Sequence, residues 1–360
     1  MFYMSTMKDV AKLAGVSAST VSRYLTGSTG VSREKELRIA RAIKELNYEP
    51  NVLGRSLRNA ETKIVLVVMS RLIPQCMQGM LDAARKEGYN ILLDLSERNI
   101  DRTQTLRAFQ NGLVDGIIFQ DVRITENVYR EISVKIPVVQ CGDYTDIPGS
   151  DIVSIDNENM AYRMASHLIR KGYDSIAYVY YYYKDGTHGS LVDARERGIM
   201  RAVNENGLTF GNEHKIGILW EPNYEKGNRY AEGVRDWLRS VGDKVADCIY
   251  KLPQPPRALF CYNDQIAFGC IRALRARGIR IPEDIAVSGF DGQFLPTETD
   301  SILSTVVQPF YKIGYEAFSL MVSKLKDRDN TGRGRKILLD SELSLRASTG
   351  DQPVDGNSSL

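Results

Sequence analysis

The stretch that decides the reading is Thr6-Met7-Lys8-Asp9-Val10-Ala11-Lys12-Leu13-Ala14-Gly15-Val16-Ser17-Ala18-Ser19-Thr20-Val21-Ser22-Arg23-Tyr24-Leu25. Thr6-Met7-Lys8-Asp9 has the form of a helix start, with a hydroxyl to cap the first amides and an acid three positions on. Val10, Leu13 and Ala14 follow at i, i+3 and i+4, which predicts one apolar helix face. Gly15-Val16 breaks that helix, and Ser17 is a second cap, before a segment in which Val21, Tyr24 and Leu25 repeat the spacing. Two short helices across a tight turn are expected. A third begins at Ser32 and runs through Leu37, Ala40, Ile43 and Leu46 to Asn47. The outward positions of the second helix, Ala18, Ser19, Thr20 and Ser22, are small and polar, with one Arg23. Such a face is thin enough to enter a DNA major groove. A plain three-helix interaction module is the competing reading of the same pattern.

The segment that follows, Pro50-Asn51-Val52-Leu53-Gly54-Arg55-Ser56-Leu57-Arg58-Asn59, supports the DNA reading. It spans about two helical turns, and isolated helices below roughly 12 residues are marginal in water. Gly54 costs a further ~1 kcal/mol relative to alanine. The segment therefore reads as a linker that becomes helical on a partner. Leu53 and Leu57 would form an apolar stripe on it, and a leucine wedged between base steps in the minor groove accounts for one; packing of Leu57 on the next domain is the alternative. Candidate DNA contacts are Ala18, Ser19, Thr20, Ser22 and Arg23, the helix-start hydroxyls of Thr6, Ser17 and Ser32, and Asn51, Leu57 and Arg58 of the linker.

Charge is divided the same way. Residues 1–60 hold ten Lys/Arg and five Asp/Glu, and the other 300 hold 37 and 40. A basic head on a slightly acidic body suits polyanion binding by the head alone. The chain has 360 residues, 43% hydrophobic and 26% charged, with a mean hydropathy of -0.28. That length exceeds one ordinary core, and the composition is that of a globular protein. No apolar run nears the roughly 18 residues of a membrane helix, and the first residues lack a basic flank before an apolar stretch, so a cytoplasmic protein is expected. Five scattered cysteines without a Cys-x-x-Cys pair, and three histidines, argue against a disulfide scaffold or a zinc site.

Beyond residue 60, apolar runs bounded by turn residues recur at Ile64–Met69, Asn90–Leu95, Gly116–Phe119, Val138–Gln140, Ser175–Tyr180, Ala258–Tyr262, Ala286–Phe290 and Ser304–Val307. Helical patterns such as Met77-Met80-Leu81-Ala84 and Ile266-Ala267-Cys270-Ile271-Leu274 lie between them. Alternation of this kind predicts doubly wound parallel sheets with helices on both faces. The expected fold class is an all-α helix-turn-helix headpiece joined to an α/β core of two such lobes, with a ligand held between them. The domains expected are a headpiece over 1–49, a hinge over 50–60, a core over 61–347 and a frayed tail over 348–360, which carries no leucine heptad for tetramerisation. Enzyme signatures are missing: no P-loop, no Gly-x-Gly-x-x-Gly, no Gly-x-Ser-x-Gly and no His-Glu-x-x-His. Asp327-Arg328-Asp329-Asn330-Thr331-Gly332 mimics a calcium loop, but Leu338 stands where its closing Glu belongs. Neither a cofactor nor a metal is expected.

Lys8–Ser17, Ser19–Arg23, Ala42-Ile43-Lys44-Glu45-Leu46-Asn47-Tyr48 and Arg55-Ser56-Leu57 closely resemble the lactose-repressor/galactose-repressor (LacI/GalR) family of transcription factors. The core resembles it too, at Val114-Asp115-Gly116-Ile117-Ile118, Ile136-Pro137-Val138-Val139, Ile155-Asp156-Asn157, Asn263-Asp264, Ile281-Pro282-Glu283-Asp284-Ile285 and Gly289-Phe290-Asp291. The resemblance implies a homodimer on palindromic double-stranded operator DNA, a hinge helix, and a core like periplasmic sugar-binding proteins. Arg195-Glu196-Arg197-Gly198 resembles the family's Arg-x-x-Gly effector motif, so Arg195 and Asp264 are expected to hydrogen-bond a small-molecule effector, a sugar or sugar derivative first and a nucleoside second. A rigid fork of donors and a pair of acceptors suit vicinal hydroxyls or a carboxylate. Read without the family, Arg195 is a solvated helix residue and Asp264 a helix cap. Ser70, Gln120, Trp220 and Asp291 complete the expected effector set.

The chain departs from the family pattern around that site. The loop Ser70–Gln75 is shorter by a few residues and lacks an Asn-Pro-Phe-Phe stretch, removing an aromatic wall of the pocket. Asp193, Ile199 and Asp291-Gly292 also differ from frequent family residues. Trp220 or Tyr224 would compensate by stacking on a ring, unless they are core residues. The run Tyr180–Tyr183 lines the cleft mouth or simply alternates across a strand end. Two function classes remain: an allosteric transcription regulator, and a sensing or enzymatic α/β protein whose basic head binds something other than operator DNA.

Overall fold

In the computed structural model the residues described are 5–25, 30–48, 62–95, 112–221, 230–293, 302–327 and 334–352. The hinge over 50–60, with Asn51, Leu57 and Arg58, lies outside them, as do Tyr224 and the last eight residues. The chain forms two compact units, residues 1–63 with 111–115, and the rest.

In the first unit, helices α1 (Met7–Ala14), α2 (Ala18–Leu25) and α3 (Arg33–Glu45) form as their caps dictate. Thr6 Oγ1 accepts the Asp9 amide at 3.3 Å and the Asp9 carboxylate accepts the Thr6 amide at 2.8 Å, the reciprocal box expected. Gly15 ends α1 at φ 64°, a left-handed conformation that glycine adopts without a Cβ penalty. Ser17 Oγ accepts the Thr20 amide at 3.2 Å. The core is Val10, Ala11, Ala14, Val21, Ile39, Ala42 and Tyr48. This corrects two expected faces: Leu13 and Leu37 are exposed at 47% and 65%, and Ala40 is exposed as well. A three-helix unit of this size buries one narrow stripe per helix, and in α3 that stripe runs through Ile39 and Ala42 rather than one position away. Asp115 belongs to this unit, its carboxylate accepting the Thr62 and Lys63 amides at 2.8 and 2.7 Å.

The second unit holds two six-stranded sheets. The first has the order β11-β5-β4-β3-β1-β2, with β1 (Ile64–Met69), β2 (Asn90–Leu95), β3 (Gly116–Gln120), β4 (Val138–Cys141), β5 (Asp151–Ile155) and β11 (Lys336–Leu339) all parallel. The second has the order β12-β10-β9-β8-β6-β7, with β6 (Ile176–Tyr182), β7 (Lys215–Leu219), β8 (Ala258–Cys261), β9 (Ala286–Asp291) and β10 (Ser304–Val307) parallel and β12 (Glu342–Ser344) antiparallel. β1, β3 and β9 are buried almost throughout, as strands covered on both faces must be. The eight apolar runs all become strands. The sequence pattern missed β5, β7, β11 and β12, the last two being short with exposed positions.

The covering helices are α4 (Pro74–Glu87), α5 (Glu126–Ser133), α6 (Asn157–Arg170), α7 (Ser190–Glu205), α8 (Tyr230–Tyr250), α9 (Asp264–Ala276) and α10 (Phe310–Lys326). The chain crosses between sheets after β5, after β10 and between β11 and β12, so both lobes are built from discontinuous segments. α10 returns to the first lobe and packs on α4, where a Cβ at Gly79 would lie 2.0 Å from the Tyr311 carbonyl oxygen. The tail is packed through Asp351, against the frayed segment expected. Ser348 and Thr349 are fully buried, Ser348 Oγ donates to the Val287 carbonyl at 2.6 Å, and Asp351 meets His167 at 2.8 Å and Lys171 at 3.1 Å. Short polar residues made the segment read as loop, yet their hydroxyls are what satisfy the backbone there.

Candidate functional site

The headpiece presents one polar face. Thr6, Ser17, Ala18, Ser19, Arg23 and Ser32 are exposed, and Thr20 and Ser22 half-buried. Val21 is fully buried opposite that face. The Ser17 hydroxyl lies 2.8 Å from those of both Ser19 and Thr20, so the start of α2 is a cluster of hydroxyls that exchange partners at little cost. Ser32 precedes α3 without making a side-chain cap bond.

In the core, the strand order reverses between β1 and β3 and between β6 and β8. Crevices outside the C-terminal ends of strands at such points hold ligands in open α/β sheets. Ser70 and Gln120 sit at the first reversal, and Tyr262 and Asp264 at the second. Arg195, on α7, is 1% exposed. Its Nε and Nη2 donate to Asn157 Oδ1 at 3.1 and 3.0 Å, its Nη1 to the Tyr262 carbonyl, and its Nη2 to Asp291 Oδ1 at 3.4 Å. The guanidinium lies over the Phe290 and Tyr262 rings, 3.6 and 4.4 Å from their centroids, where cation–π attraction adds to the hydrogen bonds. It is not a solvated helix residue. The motif has a steric cause: a Cβ at Gly198 would lie 2.1 Å from the Glu158 carbonyl oxygen, so only glycine lets α7 approach the start of α6, where Asn157 waits one turn from Arg195.

Asp264 is 1% exposed. Its Oδ1 accepts the Thr305 hydroxyl at 2.5 Å and its Oδ2 the Gln293 amide at 2.7 Å. Burial, and then the Asp291 charge, push its carboxyl well above the usual carboxylate range. Asn263, not Asp264, caps α9, accepting the Ile266 amide at 3.0 Å. Asp291 has φ 103° and spans the lobes: Oδ1 accepts from Gln308 at 2.7 Å and faces Arg195, while Oδ2 pairs with Arg71 at 3.5 Å. Arg71 also reaches Gln293 Oε1 at 3.5 Å. On the other rim, Arg123 donates to the His188 carbonyl at 2.6 Å, and the Ser190 hydroxyl lies 2.5 Å from the Tyr144 carbonyl and 3.1 Å from Asp143.

Three comparisons bear on this architecture. Residues 6–51 match the model of bacterial regulatory proteins of the lacI family. Residues 72–229 match periplasmic binding proteins and the sugar-binding domain of the LacI family, and 165–349 a periplasmic binding protein-like domain. The chain belongs to the LacI family. As a LacI-family protein it is a ligand-responsive DNA-binding transcriptional regulator and not an enzyme. It is 28% identical over 351 residues to the transcriptional repressor CytR of Escherichia coli K12, covering 96% of each chain. It is 29% identical to the transcriptional regulator RegA of Clostridium saccharobutylicum, covering 96% of this chain and 99% of that one. A lac repressor dimer bound to operator and the anti-inducer ONPF shares the fold, with TM-score 0.73, 22% identity and coverage of 96% and 99%. So does the regulator CelR in complex with cellobiose, with TM-score 0.65, 24% identity and the same coverage. Among the described residues of this LacI-family chain no helix is long and apolar enough to cross a membrane, and no group of three or more acidic, His or Cys side chains is arranged to hold a metal ion.

Of the effector residues expected, Arg195, Asp264 and Asp291 come together at the end of the second sheet. Ser70, whose hydroxyl donates to the Asp121 carbonyl at 3.1 Å, and Gln120 lie at the end of the first. Trp220 is half-buried and packs on Trp237 and Tyr181, with ring centroids 4.3 and 5.3 Å apart. Tyr181 in turn meets Tyr262 edge-on at 5.0 Å, which ties this aromatic cluster to the Arg195 pocket. Within the run Tyr180–Tyr183, Tyr181 is buried and Tyr180, Tyr182 and Tyr183 are half-buried. Sequence reasoning missed Arg71, Asn157 as the Arg195 clamp, Thr305 and Gln308. Arg71 had a signal, as the one charged residue in a short loop directly after an apolar strand.

Proposed function

We propose that the protein is a cytoplasmic homodimeric repressor of carbohydrate uptake or catabolism genes. Its headpiece (1–49) and hinge (50–60) read a palindromic operator, and a sugar or sugar derivative in the interlobe cleft alters operator affinity. The observation that carries the ligand-responsive part is the Arg195–Asp291–Arg71 chain: an ionic bridge from one lobe to the other, buried at Arg195 and Asp291 and half-buried at Arg71, ties lobe arrangement to whatever competes for those groups. The DNA part rests on the exposed hydroxyl and arginine face of α2. The dimer is supported by edge strand β2, which leaves Leu92, Leu93 and Leu95 exposed at 42, 47 and 68%, an apolar edge that natural sheets cover. The effector contacts are Arg195, Asp264, Asp291, Ser70, Gln120 and Trp220.

The test begins with selection of operator sequences from random duplex DNA, then a thermal-shift screen of sugars, sugar phosphates, nucleosides and amino acids. A ligand at 100 times its dissociation constant adds about 2.7 kcal/mol to stability, a readable rise in Tm. Asp264→Ala is expected to weaken the hit by at least about 1 to 3 kcal/mol, because donors are left unpaired in a buried pocket, with ligand-free DNA binding retained. A hit that leaves operator affinity unchanged, or that ignores both Arg195→Ala and Asp264→Ala, would refute the reading.

A further inference from the structure

The loop after β4 is built to hold one carboxylate still. Gly142 turns the chain at φ 74°, its amide donates to the Val153 carbonyl at 3.1 Å and its carbonyl accepts the Ser154 hydroxyl at 2.9 Å. The next amide, that of Asp143, donates to Asp121 Oδ1 at 2.8 Å. These bonds all lie within the first lobe, and Asp143 is 8% exposed. Its carboxylate reaches across to the second lobe. Asp143 Oδ1 accepts the Ser190 hydroxyl at 3.1 Å, and Oδ2 lies 2.7 Å from where a Cβ on Gly189 would stand. Gly189 and Ser190 are the cap and the first residue of α7, the helix that carries Arg195.

Gly189 gives α7 no side-chain cap bond. A helix start of that kind leaves N–H groups and a positive dipole end to be answered from elsewhere, and a carboxylate beside it is stabilising. The helix's own first-turn acid, Asp193, is 55% exposed and stands 3.7 Å from His188 Nδ1, so water screens it more than it screens Asp143. Two further bonds close the same seam. The Ser190 hydroxyl lies 2.5 Å from the Tyr144 carbonyl, and Arg123 of the first lobe donates to the His188 carbonyl at 2.6 Å. The Arg71 contacts with Asp291 and Gln293 both measure 3.5 Å, near the limit of a hydrogen bond. The seam at the start of α7 is therefore the tighter tie between the lobes, and none of its groups belongs to the proposed effector set.

We propose that Asp143 caps α7 from the opposite lobe and, with Arg123, latches the two lobes together before any ligand arrives. Separating the lobes then uncaps the helix that holds Arg195, so the helix start and the seam oppose opening together. Resting on the cleft as the effector site, an effector enters only from the unlatched fraction, and its apparent affinity is reduced by that fraction.

The latch is tested in the full chain without ligand or DNA, by hydrogen exchange read by mass spectrometry, so its failure and that of the proposed effector or operator are separate results. Asp143→Ala is expected to speed exchange over residues 189–193 by about tenfold, the scale set by losing a hydrogen bond to a charged group. Exchange over 291–293, at the Arg71 contact that the substitution does not touch, should rise as well, because opening separates both. Asp143→Asn keeps an acceptor for Ser190 without the charge and should fall between parent and alanine variant. Gly189→Ala pushes a methyl group against Oδ2 and should open the latch as Asp143→Ala does, with little further effect when the two are combined. β3 and β8 should exchange as in the parent throughout, and the Asp143→Asn and Gly189→Ala variants carry the test if the alanine variant unfolds. The inference is overturned if Asp143→Ala leaves 189–193 unchanged, if the rise stops there and 291–293 keeps the parent's rate, or if the effects of Gly189→Ala and Asp143→Ala add.

Discussion

Gly198→Ala adds one methyl group at the point where α7 touches α6, and its consequences can be worked from distances. The new Cβ would lie 2.1 Å from the Glu158 carbonyl oxygen, 2.8 Å from the Tyr162 nitrogen and 2.9 Å from Ala161 Cβ, where ordinary contact starts at 3.4 Å. Two of these neighbours are helix backbone, so the helices must part by about 1 Å rather than a side chain turning aside. The Arg195 bonds to Asn157 at 3.0 and 3.1 Å would stretch beyond hydrogen-bonding range. Overpacking costs about 1 to 3 kcal/mol, and loss of bonds to a buried charge about 1.5 to 3 kcal/mol. Alanine returns up to about 1 kcal/mol of helix propensity. The net expectation is a loss of roughly 2 to 5 kcal/mol, a fall in Tm of roughly 4 to 10 °C for a core of this size. Thermal unfolding followed by Trp220 and Trp237 fluorescence reports the core, since both tryptophans lie there. A variant that melts with the parent would show that the Arg-x-x-Gly spacing is not held by this close approach.

Arg23→Ala or Ser19→Ala should change operator affinity or base preference by roughly 1 to 3 kcal/mol while ligand binding stays unchanged; equal operator binding by parent and both variants, measured by fluorescence anisotropy at fixed salt, removes α2 from the groove. Asp115→Ala strips the Thr62 and Lys63 amides of their acceptor, a local loss of about 1 to 3 kcal/mol, and trypsin should then cut after Lys63 faster than in the parent; an unchanged rate means the clasp holds nothing. Burial opposes ionisation of Asp351, but hydrogen bonds from Thr349, His167 and Lys171 outweigh it and hold its carboxyl below the usual range. A depressed folded value contributes stability above the unfolded carboxylate value of about 3.9 and loses it as pH falls through the folded value. Asp351→Asn should therefore cost about 1 kcal/mol near neutral pH and converge with the parent in acid; a gap that persists in acid would assign the effect to packing.

What the sequence revealed and what it hid follow one physical line. A buried parallel strand is a continuous apolar run, so β1, β3, β8 and β9 were legible residue by residue, and the Thr6 box and Gly15 stop announce themselves through local chemistry. β11 and β12 alternate exposed and half-buried residues over three or four positions, too short a pattern to stand out from a loop. The buried tail was hidden for another reason: Ser348, Thr349 and Asp351 find partners on β9, β10 and α6, more than 40 positions away for Ser304 and 184 for His167. The site divides in the same way. Arg195 and Asp264 could be named from motif resemblance, but composition cannot show that Asn157, Tyr262 and Asp291 already occupy the guanidinium, nor that Thr305 and Gln293 occupy the carboxylate. Those partners come from four separate segments, at the start of α6, after β8, at the end of β9 and on β10. The consequence is mechanistic: the two groups expected to greet a ligand are engaged with the protein, while Gln120, in the opposite lobe, has no hydrogen-bond partner among the described residues. With the cleft as the proposed effector site, occupancy there and the Arg71–Asp291 bridge between the lobes belong to a single equilibrium.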